Sequence, residues 1–449
     1  MKSPTFAHRL HYFIDNFLLV YKPTGMDIAQ LRHLLLEGAK IKVPDTAQSF
    51  FESKQCIPTQ IAYITYHHER IPIFFYEAIP TSLYHVAEDK CIFDFDIASS
   101  VFYYLSSWQE LFAPKDHLQR FTYPHSIQAI TGTVQVPVVN YYFLIFKEAI
   151  ENVYSITLQN IYLSNGKFIT SVTHDVDIVK KTWKIYLLQH LKKYNTVACV
   201  SILTDYISGK YITNNFNSIL INSKTSGYKP TLFFLPVRGA YKGYRNADYD
   251  MSDVAKILEK IGKDIEIALH PGFEASENEA IMKENIANIH RRVSGCRYHF
   301  LMYNALSTPH ILQHTSIKYD STLGFNDMPG FRNGTSYPYL LFDFQTLTHT
   351  KVIEIPLIVM DATLFYAHYL AYKDAQSAFE YILPIAEQIK KTGGVLNVNF
   401  HNHLFYNGVF TQWQKLLQMI IHYAKCNHSS FSCLEDVYLT AANTSYFEA

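Results

Sequence analysis

The stretch Phe168-Ile-Thr-Ser-Val-Thr-His-Asp-Val-Asp177 joins an apolar, β-branched run to two carboxylates. The run has the composition of a buried β-strand. Side chains two positions apart in an extended chain point to the same side, so Asp175 and Asp177 are expected to share one site. Such a pair can supply a metal ligand and a general base. The alternative is a helix N-cap followed by an acidic residue in the first turn.

Further strand-like runs follow this stretch, separated by longer segments with helical patterns. Together with the first run they occupy residues 168–173, 231–235, 265–269, 297–301, 317–320, 352–359 and 395–400. Strands that alternate with such crossovers predict a parallel α/β sheet or barrel. The first 165 residues lack this alternation. We therefore expect an N-terminal α+β domain over residues 1–165 and an α/β domain over residues 166–449.

Polar residues that could act in catalysis or metal binding stand at the ends of several runs, where α/β sheets place their active sites. His270, before Pro-Gly, is a candidate metal ligand or a turn residue. His401 and His403 in Asn399-Phe-His-Asn-His403 are a candidate metal pair, or one is catalytic and the other solvated. Arg332 in Phe331-Arg-Asn-Gly-Thr335 could orient a carboxylate or form a surface ion pair.

Composition excludes several classes of protein. Lys plus Arg (39) equals Asp plus Glu (39), so a nucleic-acid binder that neutralises phosphates is not expected. The six cysteines are scattered without paired spacing, which indicates reduced residues. Charged residues interrupt the N-terminal segment and no apolar run reaches 18 residues, so we expect no signal peptide and no transmembrane segment, and a cytoplasmic location.

The four motifs, in their order along the chain, resemble the polysaccharide deacetylase family of the carbohydrate esterase family 4 type. The resemblance covers residues 165–440 and is closest to a bacterial subgroup with an additional N-terminal domain. The segment Val101–Glu110, with Asp116 and Arg120, is similar to a helix of that domain. The resemblance implies a distorted seven-stranded (β/α) barrel, which agrees with the seven runs.

The resemblance also implies roles for individual residues. The general base would be Asp175, oriented by Arg332. The general acid would be His401, tuned by Asp361. Asp177 and His270 would bind a divalent metal, most often zinc in this family.

One position departs from the family pattern. A second metal-binding His is expected four residues after His270, where this chain has Glu274. Glu274 could serve as an oxygen ligand. His299 is the preferred replacement, because Glu274 lies in a turn that leads into a helix and could only complement its dipole. A third alternative is that metal binding is weakened or lost.

The resemblance implies a metal-dependent hydrolase that removes N-acetyl groups from an amino sugar of a bacterial surface glycan or its precursor. Its expected partner is an N-acetylated carbohydrate. Two alternatives stay open at this point. One is a non-catalytic member that binds a glycan or a partner protein, and the other is a hydrolase of a different non-peptide amide.

Overall fold

A computed structural model of the protein describes residues 2–87, 89–163, 166–192, 194–241, 243–260, 265–405 and 410–443. Up to residue 160 the described helices are α1 (Phe6–Val20), α2 (Ile28–Glu37), α3 (Gln48–Glu52), α4 (Ile97–Leu105), α5 (Trp108–Phe112), α6 (Ile127–Thr131) and α7 (Val138–Tyr154). The strands of this N-terminal region are β1 (Tyr21–Pro23), β2 (Ile41–Lys42), β3 (Ala62–Tyr66), β4 (Glu69–Ile73), β5 (Tyr84–Ala87), β6 (Lys90–Phe93) and β7 (Leu158–Asn160). They form small sheets of two or three strands.

The rest of the chain alternates strands and helices. The strands are β8 (Ile169–Val176), β9 (Thr231–Phe234), β10 (Ala240–Tyr241), β11 (Tyr244–Arg245), β12 (Glu266–Leu269), β13 (Gly295–Cys296), β14 (Tyr319–Asp320), β15 (Tyr339–Asp343), β16 (Thr348–Glu354), β17 (Val359–Met360), β18 (Val395–Asn399) and β19 (Ser430–Phe431). The helices are α8 (Thr182–Lys192), α9 (Thr196–Ile207), α10 (Lys210–Ser226), α11 (Met251–Lys260), α12 (Glu279–Asn288), α13 (Thr308–Gln313), α14 (Asp361–Phe365), α15 (Ala375–Thr392), α16 (Thr411–Cys426) and α17 (Leu434–Ala442). In the described part of the chain, no helix has both the length and the apolar character that crossing a bilayer requires.

One large sheet organises this second region. Its strands follow the order β15-β16-β14-β13-β12-β9-β8-β18-β17, with β19 also paired to β8. All of these pairs are parallel except β15 with β16. Residues 355–358 connect β16 to β17, and the amides of Ile355 and Ile358 donate to the carbonyls of Asp320 and Asn397. The protein is therefore a mixed α/β structure with a parallel sheet, while a closed barrel of seven strands stays a prediction.

Strand β8 lies in the middle of this sheet and is buried along almost its whole length. Residues 169–173 pair with β18, and residues 173–176 pair with β9. A strand enclosed in this way favours β-branched side chains on both faces, as the sequence Ile-Thr-Ser-Val-Thr provides. Its carboxyl end therefore opens between two parallel neighbours, which is where parallel sheets form sites.

Two of the predicted runs differ from the observed strands. Residues 297–301 are not a strand, because β13 ends at Cys296 and a short 3₁₀ turn follows over His299–Leu301. Phe300 and Leu301 have φ values of 57° and 54°, and this left-handed conformation is incompatible with an extended strand. The run 352–359 is divided between β16 and β17 at Pro356, which cannot donate to a strand ladder.

The N-terminal region packs directly onto the large sheet. Helix α1 covers the outer strand β15, where Tyr12 donates from Oη to the Leu340 carbonyl (2.6 Å) and Asn16 accepts from the Leu340 amide (2.7 Å). The ring centroids of Phe102 in α4 and Phe342 in β15 lie 4.8 Å apart. One apolar core thus continues across the expected boundary at residue 165. The division into two domains stays a prediction.

A charged contact between α1, α2 and β16 predicts pH-dependent stability. The buried Asp15 carboxylate accepts from Arg32 (2.7 Å) and lies 3.3 Å from His349 Nε2. Burial acts to raise the pKa of Asp15, but His349 and Arg32 lower it overall. Burial acts to lower the pKa of His349, but Asp15 raises it overall.

The contribution of Asp15 to the free energy of unfolding is therefore present above about pH 4 and is lost as the pH falls further. The contribution of His349 is complete below about pH 6.5 and is lost as the pH rises. We expect His349→Gln to lower the free energy of unfolding by about 1 kcal/mol at pH 6 and by less at pH 9. Urea denaturation at both pH values measures this difference, with His33→Gln on the exposed face of α2 as the control. An equal loss at both pH values would contradict the assignment.

Candidate metal and catalytic site

The candidate residues predicted at separate strand ends meet at one edge of the sheet. Asp175 lies within β8, and Asp177 follows the end of that strand. His270 directly follows β12, and His401 comes two residues after β18. Strands β8, β9, β12 and β18 run parallel, so their carboxyl ends open on the same side. Parallel pairing thus brings residues from distant parts of the chain into one site.

Three side chains form a cluster with the geometry of a metal site. Asp177 Oδ1 lies 3.2 Å from His270 Nε2 and 3.5 Å from His299 Nδ1, and the two nitrogens are 3.1 Å apart. A tetrahedral zinc ion with bonds of about 2.0–2.2 Å would separate its ligand atoms by about 3.3–3.6 Å. The spacing of these three atoms therefore fits a single small divalent ion.

The hydrogen bonds behind the cluster determine where its lone pairs point. His270 donates from Nδ1 to the Arg297 carbonyl, and His299 donates from Nε2 to the Arg245 carbonyl at 3.0 Å. Since a carbonyl can only accept, each neutral ring presents an unprotonated nitrogen to the other and to Asp177. Backbone carbonyls that hold ligand tautomers in this way are typical of metal sites.

The charge state of the cluster also favours the binding of a cation. Burial lowers the pKa of His299 to about 4, although Asp177 acts in the opposite direction. Burial acts to raise the pKa of Asp177, but His299, His270 and His401 lower it well below its ordinary value. The buried Oδ1 atom of Asp177 has no hydrogen-bond donor among the described residues. Two facing lone pairs and an unsatisfied carboxylate oxygen are stabilised by a divalent ion.

His299 rather than Glu274 occupies the position beside Asp177 and His270. Glu274 is exposed and lines a separate cavity together with His117 and Tyr244. Phe300 and Leu301 adopt left-handed conformations, so the chain makes a tight turn directly after His299. A strand over residues 297–301, as the sequence predicted, would have continued past this point.

Asp175 is held by an arginine other than the expected one. Its Oδ1 accepts from Arg297 Nη1 (3.0 Å), and its Oδ2 accepts from Asn399 Nδ2 (2.9 Å). The same Nη1 also donates to Thr173 Oγ1 at 2.7 Å. Arg297 is fully buried, so its charge is neutralised within the sheet by Asp175. The carboxylate is thus fixed by donors on both of its oxygens.

The expectation that Arg332 orients Asp175 requires correction. Arg332 donates to both carboxylate oxygens of Glu110 in α5, at 2.9 and 2.6 Å, and to the Gly324 carbonyl at 3.0 Å. This bidentate pair is buried and uses the planar donor geometry of the guanidinium. The segment is held close to the N-terminal region, since a Cβ on Gly334, at φ +66°, would lie 2.9 Å from Tyr104. Arg332 therefore joins the two regions of the chain.

His401 is paired with Asp361, as the resemblance implied. His401 Nδ1 lies 2.7 Å from Asp361 Oδ1, and the His401 amide donates to Asp361 Oδ2 at 2.9 Å. The other ring nitrogen, Nε2, is directed to the cluster and lies 3.5 Å from Asp177 Oδ2. Burial acts to lower the pKa of His401, but Asp361 and Asp177 raise it to about 10. The pair thus presents a proton donor at the site.

These groups line one cavity of about 250 Å³. Its wall includes His403, whose pKa is lowered to about 4 by burial and by His401. Apolar side chains complete the wall, among them Phe300, Leu301, Met360 and Tyr366. The volume suits a small ligand or one group of a larger ligand.

The N-terminal region contributes Arg120 to the same cavity. Its guanidinium donates from Nε to Asp116 (2.9 Å) and from Nη1 to the Phe300 carbonyl (3.2 Å). Asp116 is itself fixed by the amides of Leu118 and Arg120, each at 2.9 Å. The sequence indicated Arg120 only through its similarity to a helix of the additional domain. Its place in the wall shows that the cavity is built from both regions of the chain.

Arg297 and Asn399 were not among the candidates from the sequence. Arg297 was assigned to an apolar strand run, and Asn399 was quoted only as part of the motif around His401. A charged side chain inside an apolar run is a usable signal, because a buried guanidinium requires a carboxylate partner. Asn399 stands opposite Thr173 in the β8–β18 register, which only the sheet pairing reveals.

Known proteins resemble this chain only over part of its length or at low sequence identity. Residues 8–155 match the model of a family of unknown function, DUF7033. No curated protein matches the chain. Among solved structures, the chain is similar to one described as a polysaccharide deacetylase from Mycobacterium smegmatis, with 13% identity, a TM-score of 0.40, and coverage of 62% of this chain and 92% of the other.

Two further solved structures show similar values. A structure described as a polysaccharide deacetylase from Pseudomonas aeruginosa is 11% identical, with a TM-score of 0.40 and coverage of 62% of this chain and 92% of the other. An allantoinase is 14% identical, with a TM-score of 0.40 and coverage of 64% and 94%. Functional conclusions therefore rest on the geometry of the site.

Metal content provides a direct test of the cluster. We expect about one zinc-class ion per chain in protein purified without chelator, and its loss in His299→Ala because only two ligands would remain. Glu274→Ala, a matched variant of the alternative ligand, is expected to retain the ion. Plasma mass spectrometry measures both contents. Metal that persists in His299→Ala but is lost in Glu274→Ala would overturn the ligand assignment.

Proposed function

We propose that this protein is a metal-dependent hydrolase that removes N-acetyl groups from an amino sugar of a bacterial surface glycan or its precursor. The observation that carries the proposal is the placement of two groups around one metal-binding cluster. Asp175, held by Arg297, and His401, paired with Asp361, line the same cavity as Asp177, His270 and His299. This arrangement supplies the components for hydrolysis of an amide.

The residues divide the chemistry between them. When bound by Asp177, His270 and His299, a divalent metal, with zinc preferred for two imidazoles and a carboxylate, supplies Lewis acidity to the acyl carbonyl. Asp175 accepts the proton of the attacking water, and donors on both of its oxygens hold it in position. His401, oriented by Asp361, donates a proton to the departing amine.

The proposal is favoured over a non-catalytic binding protein. That alternative was motivated by the absence of a second His after His270. His299 stands beside Asp177 and His270, so the cluster offers the three protein ligands that a catalytic zinc site requires. Hydrolysis of a different non-peptide amide would use the same groups, and the choice of an N-acetylated sugar follows the sequence motifs.

Acetate release from N-acetylated amino sugars tests the activity. We expect turnover with zinc or cobalt added and a decrease in kcat of about 10²–10⁴-fold in Asp175→Asn, because the amide cannot accept the proton of water. Glu284→Gln, which makes the same change on the exposed face of α12, is the control and should leave kcat unchanged. Absence of acetate release from every such sugar, in a metal-loaded wild type, would reject the deacetylase proposal.

The different positions of Arg297 and Arg332 predict different defects on substitution by lysine. Arg297→Lys removes the fixed donor to Asp175, so we expect kcat to fall by about tenfold or more. Arg332→Lys keeps the charge but loses the bidentate hydrogen bonds to the buried Glu110, so we expect a stability loss of about 1.5–3 kcal/mol. Kinetics and denaturation of both variants measure the two effects. A larger kcat effect in Arg332→Lys, at unchanged stability, would favour the original assignment.

A further inference from the structure

The connection between β8 and β9 is larger than the sheet requires. Parallel strands can be joined by a crossover of about a dozen residues, usually with one helix. Here the connection spans residues 177–230 and contains the three helices α8, α9 and α10. Tyr186 of α8 donates to the His403 carbonyl, and Asn215 of α10 donates to the Asn402 carbonyl. The added helices therefore rest on the segment that carries His401.

Helix α9 exposes several large apolar side chains on one face. Val197, Val200, Leu203 and Ile207 are 79%, 64%, 40% and 83% exposed, and their spacing of three or four residues places them on one face. The opposite face buries Cys199 and Ile202. A helix on a protein surface normally carries charged or polar side chains on its outer face. On the outer face of helix α9, Thr204 is the polar residue among Val197, Val200, Leu203 and Ile207.

Helix α8, which packs against α9, also exposes apolar side chains. Leu188 and Leu191 of α8 are exposed, and we define the α8–α9 face by Leu188, Leu191, Val197, Val200, Leu203 and Ile207. Tyr194, which is 92% exposed, lies between the two helices. Nine of the fourteen exposed large apolar residues found in the described chain fall within residues 188–221. A concentration of this kind marks an interaction surface.

The charge of the segment indicates the chemistry of the partner. Residues 178–229 contain eight lysines and a single acidic residue, Asp205, in a chain of zero net charge. Lys180 and Lys229 form ion pairs with Asp253 and Asp436, whereas Lys181, Lys184, Lys192, Lys210 and Lys224 are exposed. Lys184 and Lys192 lie four residues before and after Leu188, so they flank it on α8. An apolar helix face among lysines is the composition of segments that lie in the interface of membranes with anionic lipids.

We propose that the α8–α9 face binds the surface of a membrane that contains anionic lipids. A symmetric dimer through this face is less favourable, because it would bring the lysines of one copy against those of the other. Binding at the surface agrees with the twelve-residue length of α9, which is too short to cross a bilayer. A consequence that rests on the proposed function is that the sugar substrate is attached to a lipid.

Vesicle flotation of the full chain tests the binding. We expect vesicles with about one third phosphatidylglycerol to bind at least about tenfold more protein than vesicles of phosphatidylcholine alone, and added salt to weaken the binding. The double variant Val197→Glu/Ile207→Glu should lose at least about tenfold in vesicle affinity, with an unchanged thermal midpoint. Ile79→Glu, which alters an exposed apolar residue of the N-terminal region, is the matched control and should bind like the wild type.

Two results would overturn the proposal. One is the absence of binding to phosphatidylglycerol vesicles, or binding that the double variant retains in full. The other is a wild-type dimer in light scattering that the double variant converts to monomer, without vesicle binding, which would make the face an interface between copies. Acetate release is measured in parallel from an N-acetylated amino sugar supplied both free and attached to a lipid. Vesicle binding without acetate release would reject the proposed function and leave the membrane surface assignment intact.

Discussion

The buried guanidinium of Arg297 connects the parts of the site. A charge without a partner inside the sheet would cost several kcal/mol, so each of its contacts is enforced by burial. The side chain donates to Asp175, to Thr173 and to both the carbonyl and the hydroxyl of Ser321. The carbonyl of the same residue accepts from His270. Arg297 therefore orients the proposed base through its side chain and a proposed metal ligand through its backbone.

A second buried arginine performs a different task. The pair of Arg332 with Glu110 joins the motif Phe331–Thr335 to the segment Val101–Glu110, which the sequence had indicated separately. Neighbouring contacts strengthen this junction, since Asn333 donates to the Tyr104 carbonyl and to Ser107 Oγ. The two motifs are thus the two sides of one interface. Through it, the N-terminal region is held where Arg120 reaches the cavity.

Much of the site could be predicted because parallel sheets place strand ends together. Asp175, Asp177, His270 and His401 stand at such ends, and the structure brings all four to one edge. The partner of Asp175 could not be predicted, because a sequence gives residue types without distances. Arg332 and Arg297 carry the same guanidinium, and only the packing of β13 and the turn after it shows that Arg297 is the partner of Asp175. The turn at Phe300 and Leu301 carries no glycine or asparagine signal for a left-handed conformation.

Helix α1 covers β15, so a fragment without the N-terminal region would leave this strand uncovered. β15 is the outer strand of the sheet, and the Leu340 amide and carbonyl are satisfied by α1 side chains. A fragment that lacks the N-terminal region would present this backbone edge, together with buried apolar side chains such as Phe342, to other molecules. Bare edges of this kind recruit strands from neighbouring chains and lead to aggregation. The N-terminal region thus also shields the edge of β15 from pairing with strands of other molecules.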